Sequence, residues 1–226
     1  MLTNTPQGVK LYNKVVILPD FEEEKKLWSK GFKYIIGIDE VGRGAFAGPV
    51  CTAGVVFECE TKELMEMGIN DSKLLKASSR EKLAQVIKEK CLSFSIQTSE
   101  IDIINNYGIV KATEIAFKKT VEDIVKKMNI LSNDFFILVD GFESKELSQF
   151  NQKGIIKGDR NSISIAAASI IAKVYRDDLM TELSKIHPEY NLAKHKGYGT
   201  REHREAIKKN GLSIIHRTSF NLTKFI

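Results

Sequence analysis

Short unbroken apolar runs alternate along the chain with longer stretches whose apolar residues recur every three to four positions. The runs at residues 34–38 (YIIGI) and 135–139 (FFILV) are too short for helices and rich in β-branched or aromatic residues, so they predict buried strands. Residues 50–57 (VCTAGVVF) predict a partner strand, joined to the first by a glycine-rich turn and hence antiparallel to it. Residues 92–98 alternate Leu92, Phe94 and Ile96 with Ser93, Ser95 and Gln97, the pattern of a half-buried strand. Residues 79–90 read as a helix, and Gly108 precedes a long one on which Phe117, Val121, Ile124 and Met128 form a single apolar stripe. A further helix spans 162–183, where the small residues 166–169 allow a close neighbour, and His187-Pro188 ends it.

The first apolar run ends in two adjacent carboxylates, Asp39 and Glu40, followed by Gly42-Arg43-Gly44 and Gly48-Pro49. Neighbouring side chains of a regular strand point to opposite faces. Both carboxylates therefore serve one site only if the strand ends there, and the glycines supply that ending. The 135–139 run ends in Asp140-Gly141, and Ile155-Ile156 leads into Lys157-Gly158-Asp159. Sites in α/β sheets form where central strands end together. Asp39, Glu40, Asp140 and Asp159 so converged would repel and raise one another's pKa. Divalent cations relieve that repulsion, and two ions about 3.5–4 Å apart activate water against a phosphodiester. Asp177 and Asp178 are rivals of Asp159 but fall mid-helix, whereas Asp159 closes a short apolar segment.

Composition narrows the classes. A chain of 226 residues holds one large domain, or one with a small appendage. Residues 1–33 read as an N-terminal extension: Asp20 caps a helix with Glu22, Glu23 and Glu24 in its first turn, and Phe21, Trp28 and Phe32 offer surface for docking on residues 34–226. Three cysteines, Cys51, Cys59 and Cys91, make neither a disulfide framework nor a zinc motif and suit a reducing compartment. No leader pattern is visible and no apolar run approaches the ~20 residues of a membrane span. A soluble cytoplasmic protein without a membrane partner is expected. The 34 Lys+Arg exceed the 29 Asp+Glu only slightly. Near the C-terminus, however, Lys194, Lys196, Arg201, Arg204, Lys208, Lys209 and Arg217 face only Glu202 and Glu205, and Tyr198 lies between Gly197 and Gly199. Such a tract suits a phosphate backbone, with the ring on a sugar or base. A solvated amphipathic helix over 201–209 and a core-packed Tyr198 fit the same residues.

Residues 37–44 (GIDEVGRG) followed by 47–50 (AGPV) resemble the ribonuclease HII family. Its later blocks match in order: Asn70-Asp71-Ser72-Lys73, Val139-Asp140-Gly141, Lys157-Gly158-Asp159, residues 167–173 (AASIIAK), His195-Lys196-Gly197-Tyr198, and His216-Arg217 before Ser219-Phe220. The resemblance implies a ribonuclease H-like α/β fold, a mixed five-stranded sheet flanked by helices with a helical C-terminal part (about 186–226). It implies an endoribonuclease that cuts the RNA strand of RNA–DNA hybrids and cuts 5′ of ribonucleotides embedded in duplex DNA, leaving 3′-hydroxyl and 5′-phosphate ends. By the same resemblance Asp39, Glu40, Asp140 and Asp159 are catalytic and bind Mg²⁺ or Mn²⁺, two ions during catalysis. Gly42, Arg43, Gly44 and Tyr198 read the RNA-to-DNA junction, and Lys73, Ser169 and Lys173 contact the nucleic acid. A monomer acting in ribonucleotide excision, DNA replication and repair is implied. Arg43 and the short N-terminal segment separate it from the related ribonuclease HIII pattern. Ala45-Phe46 replaces a common Pro-Leu pair, and Thr218 a common second arginine.

Two other classes remain at this stage. An actin-like ATPase would need two phosphate-binding loops and a longer chain. A catalytically silent nucleic-acid-binding module would tolerate missing carboxylates, yet all four positions are filled.

Overall fold

The computed structural model describes residues 9–11, 14–16, 18–58, 66, 68–69, 72 and 75–225. A small hairpin, β1 (Val9–Leu11) with β2 (Lys14–Val16), precedes α1 (Glu22–Trp28). The centre is one five-stranded mixed sheet in the order β5-β4-β3-β6-β7. β4 (Val50–Phe57) pairs antiparallel with both β3 (Tyr34–Val41) and β5 (Ser93–Ser99), while β6 (Phe135–Asp140) is parallel to β3 and β7 (Gln152–Ile155) is parallel to β6. Parallel pairing needs a crossover. Here α3 (Ile101–Met128) provides it, after α2 (Ala77–Lys90). The C-terminal third consists of α4 (Ile163–Ile186), the single turn α5 (Leu192–His195) and α6 (Arg201–Asn210).

Both faces of the sheet are covered, which explains why the central strands are apolar throughout. On one face the stripe Phe117, Val121 and Ile124 of α3 packs on Ile36, Ile38, Val56, Ile137 and Val139. On the other, α4 and α2 meet Ala53, Val55 and Phe57, with Phe21 inserted beside them. The α4 backbone lies directly on β3: a Cβ at Gly37 would stand 2.3 Å from the carbonyl carbon of Ser164. Only glycine in the strand and small residues in the helix permit that contact.

Three elements differ from the sequence expectation. β3 does not stop at Ile38 but runs to Val41, because β4 pairs with it as far as Val41↔Cys51. Along β5 the serine face is not solvated: Ser95 and Ser99 are buried and Leu92 is exposed. The helix α3 covers that face; its Asp123 bonds Ser95, and its Lys127 donates to the Phe94 carbonyl. The long helix begins seven residues before Gly108, where φ of 80° kinks it; Ile104 in the added turn packs with Val50 and Ala112.

Glu24 behaves unlike its neighbours in α1. Glu22 and Glu23 make surface ion pairs with Lys25 and Lys26, but Glu24 is buried. Its Oε1 accepts the Ser162 hydroxyl at 2.6 Å, the Ser164 amide at 3.0 Å and the Ser164 hydroxyl. It thus satisfies free donors in the first turn of α4, where a carboxylate is favoured. Burial raises its pKa against those hydrogen bonds.

Candidate active site

The parallel ladder between β3 and β6 stops at Ile38↔Val139, one residue before Asp39 and Asp140. On its other side β3 continues three residues further along β4. Asp39 and Glu40 therefore occupy a length of strand with one edge unpaired. Asp39 shares the α4 face, where Ser169 hydrogen-bonds its carboxyl. Glu40 alternates to the opposite face and pairs with Arg43 at 3.4 Å. Side chains from both faces reach around this free edge, which is how a regular strand brings two adjacent carboxylates to one place.

Asp39 is only 5% exposed. Burial first, then the charges of Glu40 and Asp140, drive its pKa well above the ordinary carboxylate range. Glu40 is raised by burial and by Asp140, against the opposing pull of Arg43. Asp39 Oδ1 accepts the Glu40 amide at 2.6 Å, and Asp140 Oδ1 accepts the Gly158 amide at 2.7 Å. The second bond fastens the tight turn Gly158–Arg160, and with it Asp159, to the end of β6. A Cβ at Gly158 would stand 2.6 Å from Ile165 Cδ1 and 3.2 Å from Asp140 Oδ1, so a larger residue there would make the Ile165 side chain shift. The structure thus gathers Asp39, Glu40 and Asp140 at one sheet end and carries buried Asp159 on the turn bonded to it. The rival Asp177 is held by Lys173 at 2.6 Å and Arg80 at 3.6 Å, and Asp178 is exposed on α4.

Among the described residues no three His, Cys, Asp or Glu side chains already stand as a metal cage. The donor chemistry nevertheless fits hard divalent cations: oxygen ligands only, crowded enough to raise the Asp39 and Glu40 pKa values. As the side chains lie, one oxygen each of Asp39 and Asp140 is turned to a backbone amide, so ligation uses the remaining oxygens or a rotation.

The glycines of the 42–44 turn have different reasons. Gly42 has φ of +94°, and a Cβ there would meet Arg176 Nε at 2.1 Å, so the protein's own packing requires it. At Gly44 a Cβ would meet nothing within 4 Å. Tyr198 faces this turn through an antiparallel bridge to Ala45, and the Gly197 carbonyl accepts the Phe46 amide at 2.8 Å. The Tyr198 ring lies 5.5 Å from the Arg176 guanidinium. Ser169 is buried, bonding Ser72 Oγ at 3.0 Å as well as Asp39, and half-buried Lys173 is tied to Asp177. Lys73 lies outside the described residues.

Sequence reasoning missed the cations beneath the turn. Arg176 is fully buried and donates to the carbonyls of Pro49, Lys196 and Ala47 at 3.1, 2.9 and 3.2 Å. Arg217, assigned from sequence to the phosphate-facing tract, is instead fully buried and donates to Gly48 and Arg43 carbonyls, both at 2.9 Å. Burial and the nearby Arg176 lower its pKa to about 9. Lys196 likewise turns inward, to the Asp177 carbonyl and Thr181 Oγ1. For Arg176 a signal existed: Ala168, Ala172, Arg176 and Met180 recur at i, i+4, so the arginine lies on a buried helix stripe.

Comparison with known proteins agrees with this geometry. Residues 36–223 match the profile of the family described as Ribonuclease HII. The ribonuclease HII of Desulfitobacterium hafniense (strain DSM 10664 / DCB-2) is 48% identical over 198 residues, 88% of this chain and 72% of the relative. Among solved structures, the ribonuclease HII of Archaeoglobus fulgidus, seen in a complex with PCNA, shares the fold with TM-score 0.67 at 24% identity, covering 83% of this chain and 96% of that one. Bst-RNase HIII in complex with Mn²⁺ gives TM-score 0.67 at 20% identity, covering 85% and 68%. Five strands in this order, with acidic side chains at one end, are the fold shared with these two structures. The chain belongs to the ribonuclease HII family. It is accordingly a hydrolytic endoribonuclease for RNA–DNA hybrids.

Proposed function

We propose that the enzyme cuts both continuous RNA–DNA hybrids and single ribonucleotides embedded in duplex DNA. Cleavage falls on the 5′ side of the ribonucleotide and leaves 3′-hydroxyl and 5′-phosphate ends. The observation that carries the reading is the free edge of β3, where Asp39 and Glu40 meet Asp140. Asp39, Glu40, Asp140 and Asp159 are the residues that would hold Mg²⁺ or Mn²⁺, two ions during turnover. Bound there, the ions supply Lewis acidity and a nucleophilic water at neutral pH.

The remaining roles belong to the chain's own groups. Ser169 orients the Asp39 carboxyl, and Arg43 draws the Glu40 pKa down against burial and Asp140. Gly44 has open space that the fold itself does not require, which leaves its backbone accessible to a 2′-hydroxyl, the group that distinguishes RNA from DNA. The Tyr198 ring packs on the adjoining deoxyribose, so a junction fits better than uniform RNA. Lys173 reaches a phosphate by exchanging its partner Asp177, and Lys73 is proposed to contact the backbone too. In this reading residues 1–33 are an extension docked on a catalytic domain of residues 34–226, whose C-terminal part from about 186 grips the duplex. The enzyme acts as a cytoplasmic monomer in ribonucleotide excision during DNA replication and repair. No described helix is long and apolar enough to cross a membrane.

Cleavage of an end-labelled DNA duplex carrying one ribonucleotide tests the proposal. The product should migrate as a fragment ending in a 3′-hydroxyl just before the ribonucleotide, and a chelator should abolish it. A cyclic phosphate end, or cleavage that survives chelation, would exclude this scheme.

A further inference from the structure

Behind Tyr198 lie three buried imidazoles, and two of them make a directional chain. The Ser213 amide donates to His216 Nδ1 at 3.0 Å, so that nitrogen carries no proton. The neutral ring then has its proton on Nε2, which lies 3.2 Å from His203 Nε2. His203 Nδ1 lies 3.0 Å from the Tyr198 carbonyl, which only accepts, so the His203 proton is on Nδ1 and its Nε2 is free to accept. Both tautomers are thereby set by backbone groups, and the chain runs Ser213 N–H to His216, His216 to His203, His203 to Tyr198. Both rings are almost completely inaccessible.

The two ends of this chain are anchored on the same turn. His216 forms an isolated antiparallel bridge with Ala47, and Tyr198 forms one with Ala45. The imidazole pair thus closes a loop: turn to His216, His216 to His203, His203 to Tyr198, Tyr198 back to the turn. The His203 ring is further clamped by His195, stacked at 4.4 Å, and by Phe46 at 6.0 Å. A ring packed against two others and bonded at both nitrogens leaves little freedom for the peptide it holds.

We propose that His203 and His216 are positioning residues that fix the Tyr198 ring against the Gly42–Gly44 backbone, and so set the preference for a ribonucleotide-to-DNA junction over continuous hybrid. The inference rests on the reading of Tyr198 as the junction-contacting ring. Neither imidazole touches the substrate; each acts through the Tyr198 peptide.

The measurement is the ratio of kcat/KM on a single-ribonucleotide duplex to that on a continuous hybrid, with kcat and KM resolved separately. His203→Leu should lower the ratio by about tenfold or more, the scale on which a misplaced contact group slows an oriented reaction. His203→Asn retains a donor at the Nδ1 position and should recover most of the ratio. His216→Asn keeps an acceptor for the Ser213 amide but cannot donate to His203, so it should lower the ratio with the fold intact. Equal losses on both substrates, or His203→Asn as impaired as His203→Leu, would overturn the proposal. Tyr198→Ala, run in parallel, separates the two ideas. If it leaves the ratio unchanged, the reading of Tyr198 has failed. If it collapses the ratio while His216→Asn does not, the positioning role alone has failed. Should His203→Leu not fold, nitrogen NMR of the unsubstituted protein still decides: His203 must appear as the Nδ1–H tautomer and His216 as Nε2–H, and the reverse assignment excludes the chain.

Discussion

At the sheet end, Asp39 is buried beside Glu40 and Asp140, and the half-exposed Arg43 pairs with Glu40. Beneath Tyr198, Arg176 and Arg217 are buried more deeply still, yet each points its donors at backbone carbonyls, three for Arg176 and two for Arg217. One region crowds carboxylates that raise one another's pKa. The other holds charge that the protein spends on fixing a turn. Crowded buried carboxylates carry a cost that a proton or a bound cation removes, so the first region is where chemistry is expected. Compensated buried charge stiffens, so the second is where geometry is set. The arginines act on the very carbonyls of Arg43, Ala47, Gly48 and Pro49 that shape the turn beside the carboxylates.

Substitution on the two sides should therefore separate activity from stability. Asp140→Asn keeps the shape of the side chain and removes a charge from the cluster. Turnover should fall by orders of magnitude, while the metal-free protein melts at the same temperature or higher, because a like-charge repulsion has gone. Near-wild-type turnover in saturating Mg²⁺ would remove Asp140 from the site. Arg176→Leu should do the opposite. It leaves three buried carbonyls without donors, a loss of about 3 kcal/mol or more in a urea titration. Its remaining activity should follow the folded fraction. A stable but inactive Arg176→Leu enzyme would mean that the arginine serves the reaction directly.

The histidine chain adds a pH dependence to the second region only. Burial lowers both His203 and His216 to about 4, with His195 adding to the shift of the first and His187 to that of the second. The unfolded chain takes up these protons near the ordinary value of about 6.5. Stability is therefore full above about pH 6.5 and declines as pH falls towards 4, by about 1.4 kcal/mol per pH unit for each imidazole in that window. In metal-free protein between pH 7 and pH 4.5 the raised pKa values of Asp39, Glu40 and Glu24 act in the opposite sense, so the check is the difference between melting curves: His203→Asn should lose less stability on acidification than the unsubstituted protein. An unchanged slope in that variant would place the titrating groups elsewhere.

Much of this contrast was readable from the chain, and the unreadable part has one cause. Strand β4 falls on the predicted residues, and Asp140 ends β6 as its apolar run implies, whereas Asp39 and Glu40 lie inside β3, which outlasts its apolar run by three residues. Local pattern suffices for β4 and β6, while the length of β3 is set by its pairing with β4. Glu24 was indistinguishable from Glu22 and Glu23, because what separates it is Ser162 and Ser164, far along the chain. Arg217 and Lys196 counted as surface charge for the same reason: nothing nearby in sequence reveals the carbonyls that take them inward. The serine face of β5 looked solvated because α3, which covers it, is invisible to alternation. Hydrophobic period reports which side of an element is apolar, not whether a second element covers the polar side.

The smallest effect concerns the basic residues that remain outside. Lys194 is paired with Glu202 at 2.8 Å and Arg201 with Glu205 at 2.7 Å, so two more of the tract's charges are partly spent. Arg204, Lys208 and Lys224 line an open cleft of about 270 Å³ with Phe225, and Lys209 is exposed on the same helix. If this face follows the duplex backbone, each lysine that neutralises a phosphate contributes close to one unit to the slope of log affinity against log salt. Lys208→Ala/Lys209→Ala should then reduce the slope by up to about two units, roughly equally on hybrid and on single-ribonucleotide duplex, because a phosphate contact carries no information about the sugar. Lys194→Ala should change it less, since breaking the pair frees Glu202 near the same face. The junction preference should survive all three substitutions, in contrast to the histidine variants. A slope unchanged by the double substitution would make α6 a solvated face and confine duplex binding to the turn and Tyr198.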